Sequence, residues 1–116
     1  MDIFDYLKKA TTARLINWKP TGEEVKTKYQ MTWRGYEAVI DGFKVTTIIR
    51  PHKGLVVSGI IIEKDGKSES FTDNPKVFAG TKSDEVWHTV LAIQTEMENR
   101  DIVSSLRQLL ARMLFS

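Results

Sequence analysis

Residues 36–72 decide the fold, and they read YEAVIDGFKVTTIIRPHKGLVVSGIIIEKDGKSESFT. Two Asp-Gly pairs, at positions 41–42 and 65–66, separate runs that are rich in β-branched residues. An Asp-Gly pair is favoured in the two-residue type I′ turn of a β-hairpin, because both central residues then take positive φ angles. The sequence therefore predicts two hairpins in succession, and hence an antiparallel arrangement of three strands.

Each turn also fixes which residues lie opposite one another, because strand pairing follows from turn length. A two-residue turn leaves largely apolar pairs on one face of the first hairpin. The predicted opposed pairs are Ile40 with Phe43, Ala38 with Val45, Tyr36 with Thr47, Ile62 with Glu69 and Ile60 with Phe71.

Upstream of these hairpins, residues 25–33 alternate between apolar or aromatic and basic or polar side chains, a period of two that is typical of a half-buried strand. Arg34-Gly35 reads as a turn or a bulge, and the turn at residues 51–54 connects the first hairpin to the strand at 55–63. Gly59, inside that strand, suggests a bulge. The expected sheet is an antiparallel meander of four or five strands.

Helices are expected at both ends of the chain. Ile3, Phe4, Leu7 and Ala10 follow a helical spacing, so an N-terminal helix ends near residue 10 or runs on to Asn17. A second helix is expected to begin near Thr81 or Ser83, which are good N-cap residues. Its apolar stripe is Val86, Val90, Ile93 and Met97, and it resumes at Ile102, Leu106, Leu109 and Met113.

The step of five from Met97 to Ile102 breaks that helical period. The break predicts a kink near residues 99–101, or a turn between two short helices. Strands followed by helices favour an α+β fold over a parallel α/β sheet. We therefore expect one α+β domain over residues 1–116: an N-terminal helix, the meander, and one kinked or two C-terminal helices packed on one sheet face.

The composition excludes several kinds of chemistry. The chain has 116 residues, one domain by length, and contains no cysteine, so a disulfide framework, a thiolate metal site or a cysteine nucleophile is impossible. It has only two histidines and no zinc-protease or nucleophile-elbow motif. We expect no catalytic residue, cofactor or metal ion, and the protein is not expected to be an enzyme.

The sequence lacks the features of export and of membrane insertion. It begins MDIFD, without the basic start and apolar run of a signal peptide. No apolar run approaches the roughly 18 residues that indicate a membrane span. We expect a cytoplasmic protein that does not partner a membrane.

Basic and aromatic residues are interleaved along the predicted strands. Single-strand nucleic-acid binders combine a basic groove with aromatic platforms on a sheet, so DNA or RNA is one possible partner. A net charge of +2 is too small to indicate this by itself. The residues that would contact the phosphates are Lys26, Lys28, Arg34, Lys44, Arg50 and Lys53.

The end of the chain is more apolar than a helix on one sheet face needs, because about 100° of helix surface suffices for that contact. The surplus predicts either contact with the N-terminal helix near Phe4 and Leu7, or a second protein surface. The candidate partner-binding residues are Leu106, Leu110, Met113, Leu114 and Phe115. The leading hypothesis is a small non-enzymatic interaction module that binds itself or another protein; the alternative is a nucleic-acid-binding module.

Overall fold

The computed structural model describes residues 2–21 and 34–115. It shows an α+β fold with an N-terminal helix, a mostly antiparallel open sheet and a C-terminal helix. The elements in chain order are α1 (Ile3–Thr12), β1 (Lys19–Pro20), β2 (Arg34–Ile40), β3 (Phe43–His52), β4 (Leu55–Lys64), β5 (Lys67–Thr72), β6 (Thr81–Lys82) and α2 (Glu85–Phe115).

The six strands lie in the sheet in the order of the chain. Strands β1 to β5 are antiparallel neighbours, and β6 pairs in parallel with β5. The sheet thus has more strands than the four or five expected, because β1 and β6 add two-residue pairings at its edges. The strand predicted at residues 25–33 lies outside the described residues.

Three two-residue turns connect the four long strands. Asp41 and Gly42 have φ angles of 48° and 82°, and residues 65–66 have 52° and 77°. Both predicted Asp-Gly turns are confirmed, and every opposed pair expected from them is present. The turn expected at 51–54 is shorter than predicted: β3 continues through His52, and only Lys53-Gly54 turns, with φ angles of 47° and 79°.

Neither of the bulges considered at glycine occurs. Gly59 pairs with Ile48 and with Thr72 in an unbroken register. A Cβ at Gly59 would lie 3.0 Å from a ring carbon of Phe78, so the glycine leaves room for that ring. Gly35 lies within β2, where a Cβ would overlap the carbonyl oxygen of Thr47.

The N-terminal helix begins with a side-chain cap. The carboxylate of Asp2 accepts a hydrogen bond from the Asp5 amide at 3.0 Å, which satisfies one of the free amides at a helix start. The helix extends to Thr12, and Arg14 follows with a φ of 60°. Phe4, Leu7 and Thr11 are its buried residues, one per turn along a single face.

Both helices cover the same face of the sheet. The Phe4 ring meets the Phe71 ring edge-on, with centroids 5.4 Å apart and planes at 88°. The Thr11 hydroxyl donates to the Leu7 carbonyl and accepts from Trp18 Nε1 at 2.9 Å, so the polar atoms of these buried groups are paired. The core is formed by Phe4, Leu7, Ile16, Trp18, Ala38, Val45, Ile60, Val86, Val90, Ile93 and Met97.

The C-terminal helix is continuous over 31 residues. The predicted turn between two short helices near residues 99–101 is therefore wrong, and the kink stays a prediction. Of the two predicted starts, Thr81 is wrong because it belongs to β6, whereas Ser83 is within two residues of the observed start at Glu85. The Ser83 carbonyl accepts a hydrogen bond from the Val86 amide in the first turn. The break after Met97 has another cause, which the exposure of the helix shows.

Candidate functional site

The C-terminal half of α2 projects away from the rest of the described residues. Every residue from 101 to 115 is exposed, whereas the helix residues buried in the core all precede residue 98. At about 1.5 Å per residue this projecting half is about 22 Å long. The radius of gyration is 16.0 Å, against about 13 Å for a compact domain of this length.

The projecting half is nevertheless apolar. Eight large apolar side chains are between 47% and 87% exposed in it: Ile102, Val103, Leu106, Leu109, Leu110, Met113, Leu114 and Phe115. Soluble monomers rarely expose a contiguous apolar patch of this kind, and such patches mark interaction sites.

The helix carries two apolar stripes, and they face opposite ways. The core stripe is formed by Val86, Thr89, Val90, Ile93 and Met97, all of which are buried. Successive residues of a helix are turned by about 100°, so the positions can be projected onto one circle. The projecting stripe lies on the opposite side of the helix axis from the core stripe, roughly 180° around it. Its members are Ile102, Val103, Leu106, Leu109, Leu110 and Met113.

The change of side explains the step of five residues between Met97 and Ile102. The helix is unbroken there, and the apolar side chains move to the other face. Beyond Met97 the face that would continue the core stripe carries Ser104, Gln108 and Ala111, which are polar or small, until Phe115 at the end of the helix. The projecting stripe therefore points away from the sheet on which the first half of the helix packs.

The structure also excludes one of the two contacts predicted for the stripe. Phe4 and Leu7 are buried in the core cluster beside Val86 and Val90, in the first half of α2. They do not cover Leu110, which is 47% exposed. Three of the predicted partner-binding residues lie on the projecting stripe, Leu114 borders it, and Phe115 lies off it.

Polar contacts anchor α2 just before it leaves the core. Arg100 donates to the Thr11 carbonyl at 2.8 Å and pairs with Glu96 at 3.2 Å, which ties the helix to the end of α1. Lys8 of α1 lies 3.8 Å from Glu85, at the other end of the buried segment. The helix is thus held from residue 85 to residue 100, and the projecting half begins directly after the second anchor.

Charged groups of opposite sign mark the two ends of the projecting half. Glu98 and Asp101 lie at its base beside Arg100, which pairs with Glu96, whereas Arg112 lies near its tip and Arg107 near its middle. Burial raises the pKa of the Tyr36 hydroxyl, on β2, above its ordinary value, and the nearby carboxylates of Asp101 and Glu98 raise it further. The base of the projecting half therefore has a negative electrostatic environment.

The structure describes only some of the residues of the predicted basic face. Lys26 and Lys28 lie outside the described residues, as does the side chain of Arg34. Of the other three, Lys44 is 3.7 Å from Glu37, and Lys53 is in the exposed turn between β3 and β4.

Arg50 makes a structural contact with another segment of the chain. Its guanidinium donates to the carbonyl oxygen of Val77 at 2.8 Å, which holds the connector between β5 and β6 against the sheet. Phe78, in the same connector, covers Gly59. One end of this outer sheet face is therefore covered, and none of these contacts favours phosphate binding, so nucleic-acid binding stays a prediction.

The open end of the outer face mixes charges and apolar groups. Opposed pairs place Glu37, Lys44 and Glu63 on that face, together with Ile61 and with Val39, which is 74% exposed. The acidic residues offset the lysine, so the described part of this face is not a basic groove.

On the other face, a shallow depression lies at the tips of the two Asp-Gly hairpins. It is lined by Phe43 and Ile62 and by charged side chains of both signs. The Lys64 ammonium lies 4.1 Å from the centre of the Phe43 ring, a cation–π contact that stabilises the rim. No group of three or more residues able to hold a metal ion occurs within residues 2–21 and 34–115.

In the described part of the chain, neither helix is both long enough and apolar enough to cross a lipid bilayer. Comparisons with protein-family models, with curated proteins and with solved structures found no match for this chain.

Proposed function

We propose that this protein is a small non-enzymatic interaction module, and that it self-associates through the projecting half of α2. The observation that supports the proposal most directly is the reversal of the apolar stripe. Ile102, Leu106 and Leu109 turn away from the sheet, and the described part of their own domain leaves them exposed. A second copy of the chain presents the same stripe and can cover it.

The exposed area agrees with a dimer of moderate affinity. The six side chains of the projecting stripe each expose on the order of 100 Å² of apolar surface, an area worth about 2.5 kcal/mol when it is buried. Two copies would then bury on the order of 1,200 Å², which is the low end of stable protein interfaces. We expect a dissociation constant in the micromolar range.

The proposal places the protein in the cytoplasm and requires no cofactor or metal. A chain without cysteine is stabilised by its core alone, which suits a reducing compartment. The anchors at Lys8 and Arg100 hold α2 in place, so the domain presents an already formed helix to its partner.

The experiment is a mass measurement by sedimentation or light scattering between about 1 and 100 µM chain, which brackets the expected affinity. The chain has a mass of 13.3 kDa, and twice that mass is expected at the upper concentration. Leu106→Gln combined with Leu110→Gln removes two stripe side chains and should restore the mass of a single chain. Far-ultraviolet circular dichroism should be retained, because both residues are exposed and outside the core.

A matched control variant adds the same polar groups to the opposite side of the same segment. Ser104→Gln combined with Ala111→Gln should leave the doubled mass unchanged. A wild-type chain that stays at 13.3 kDa at 100 µM contradicts the proposal, as does a control that dissociates as readily as the stripe variant. Monomeric wild type that sediments with anionic vesicles would instead assign the stripe to a membrane surface.

A further inference from the structure

We infer that the two copies pair with their α2 helices antiparallel. The two-fold axis crosses the helix pair at the level midway between Arg107 and Gln108. This inference rests on the proposed self-association and specifies how the second copy is oriented. Four residues of the projecting stripe would form the central seam of the pair: Ile102, Leu106, Leu109 and Met113.

The spacing of the seam is the first observation. Its members are four, three and four residues apart, which is the alternation of the two core positions of a coiled coil. The spacing is symmetric about its midpoint, so a reversed copy fits it. Ile102 of one copy would lie against Met113 of the other, and Leu106 against Leu109. Such reciprocal pairing is what a two-fold interface requires.

The residues that flank the seam decide between antiparallel and parallel pairing. Val103 and Leu110 lie along one flank, and Glu98, Ser105 and Arg112 lie along the other. Residues at these flanking positions set the orientation of paired helices. The two flanks of this helix therefore have opposite character, one apolar and one polar.

In an antiparallel pair, like flanks meet. Val103 of one copy would contact Leu110 of the other, and Ser105 would lie beside Arg112. In a parallel pair, unlike flanks meet, so the Glu98 carboxylate, which accepts a hydrogen bond from Gln94, would face Val103 and lose part of its water. Taking a carboxylate out of water against an apolar side chain is unfavourable, whereas apolar contact on the first flank adds to the buried area.

The charges at the two ends of the projecting half favour the same orientation. Antiparallel pairing brings Arg112, near the tip of each helix, to within about one turn of Asp101 at the base of the other, whereas Arg107 lies beside the two-fold axis. Parallel pairing would place like charges side by side. Exposed pairs contribute little stability individually, but complementary charge selects the orientation of an interface.

The absence of cysteine from the chain makes a direct test possible. Ile102→Cys and Met113→Cys are prepared separately, one of them with a tag that changes its size, and both are oxidised alone and as a mixture. A disulfide requires Cα atoms within about 7 Å. The antiparallel pair brings residue 102 of one copy against residue 113 of the other, while two copies of residue 102 lie 11 residues apart along the helix, or about 16 Å.

We expect the cross-linked product of the mixture to exceed the product of either variant alone by at least about tenfold, since only the mixed pair meets the distance requirement. Ser104→Cys, on the opposite side of the helix, serves as the control and should cross-link with neither. Self-linking of Ile102→Cys at a yield equal to that of the mixture would show parallel pairing and overturn the inference.

The mass measurement separates this failure from the failure of the proposed function. A chain of doubled mass with parallel cross-links still self-associates through the stripe, so only the orientation is wrong. A chain of doubled mass with no cross-link in any combination places the contact elsewhere and overturns the inference as well. A chain that stays monomeric removes the proposed function itself.

Discussion

Replacement of Gly42 by valine tests the turn on which the whole sheet depends. Gly42 has a φ of 82° and follows Asp41 at 48°, which is the left-handed pair of a type I′ turn. A Cβ at Gly42 would have only one neighbour within 4 Å, the Lys64 Cε at 3.8 Å. The Cβ therefore meets no overlap, and the flexible Lys64 side chain is its one contact within 4 Å among the described residues, so we expect the effect to come mainly from backbone conformation.

The expected loss of stability follows from the cost of a left-handed backbone conformation. A non-glycine residue in the left-handed region is destabilised by about 1–3 kcal/mol, and a β-branched residue lies at the upper end. We expect Gly42→Val to lower the free energy of unfolding by about 2 kcal/mol, and Gly42→Asn by well under 1 kcal/mol, because asparagine tolerates this conformation. Gly54, with a φ of 79° and no neighbour within 4 Å, should show the same ranking for the same reason.

Urea denaturation at one fixed protein concentration is the measurement, because self-association shifts apparent stability with concentration. The slope against urea should be unchanged, so that the midpoint alone moves. A loss of less than a few tenths of a kcal/mol for Gly42→Val, or equal losses for valine and asparagine, would refute the reasoning from backbone conformation.

Three further predictions follow from other parts of the molecule. Gly59→Ala should lower the melting temperature in thermal unfolding, because the added Cβ would be crowded by the Phe78 ring. Adding Phe78→Leu to the same chain removes the ring and should recover part of that loss. Equal melting temperatures for the single and the double variant would contradict this. The folded state raises the pKa of the Tyr36 hydroxyl, so the stability that this group contributes is complete below about pH 10 and is lost as the pH rises further. A Tyr36→Phe variant should therefore lose less stability than wild type between about pH 9 and pH 11. Urea denaturation at each pH is the measurement. If the alternative function holds, the wild-type protein retards single-stranded DNA in a gel at low salt. A variant with glutamine at Lys26, Lys28 and Arg34 should retard it less and show a flatter dependence on salt. If wild type causes no mobility shift, that hypothesis is removed.

The hairpins could be predicted from the sequence because their information is local. An Asp-Gly pair specifies a turn through the φ angles of two adjacent residues, and the register follows from it. Strand β6 has no such signal, because Thr81 and Lys82 pair with a strand about ten residues away and carry no strand pattern of their own. Gly59 is similar: the Phe78 ring that explains it lies in a connector whose path the sequence does not indicate.

The C-terminal helix shows a different limit. The step of five from Met97 to Ile102 breaks the helical period, and two physical causes produce such a break. Either the helix bends so that one face stays on the core, or the helix stays straight and the apolar side chains change face. Periodicity alone cannot distinguish them, because both give the same spacing. The surplus of apolar residues after Leu106 was visible in the sequence, whereas its direction was not.

The two anchors near residues 85 and 100 have a consequence for the kinetics and the cost of association. An isolated segment of 15 residues is a marginal helix in water, because the first turn must form at the expense of several fixed dihedral angles. Here the buried half of α2 is already helical and acts as the nucleus from which the projecting half grows. The recognition surface is thus preorganised, and binding need not supply the entropy of ordering it. Since the two stripes share no residue, substitutions at the tip can retune affinity while the free energy of folding stays the same, so partner choice and fold can diverge independently.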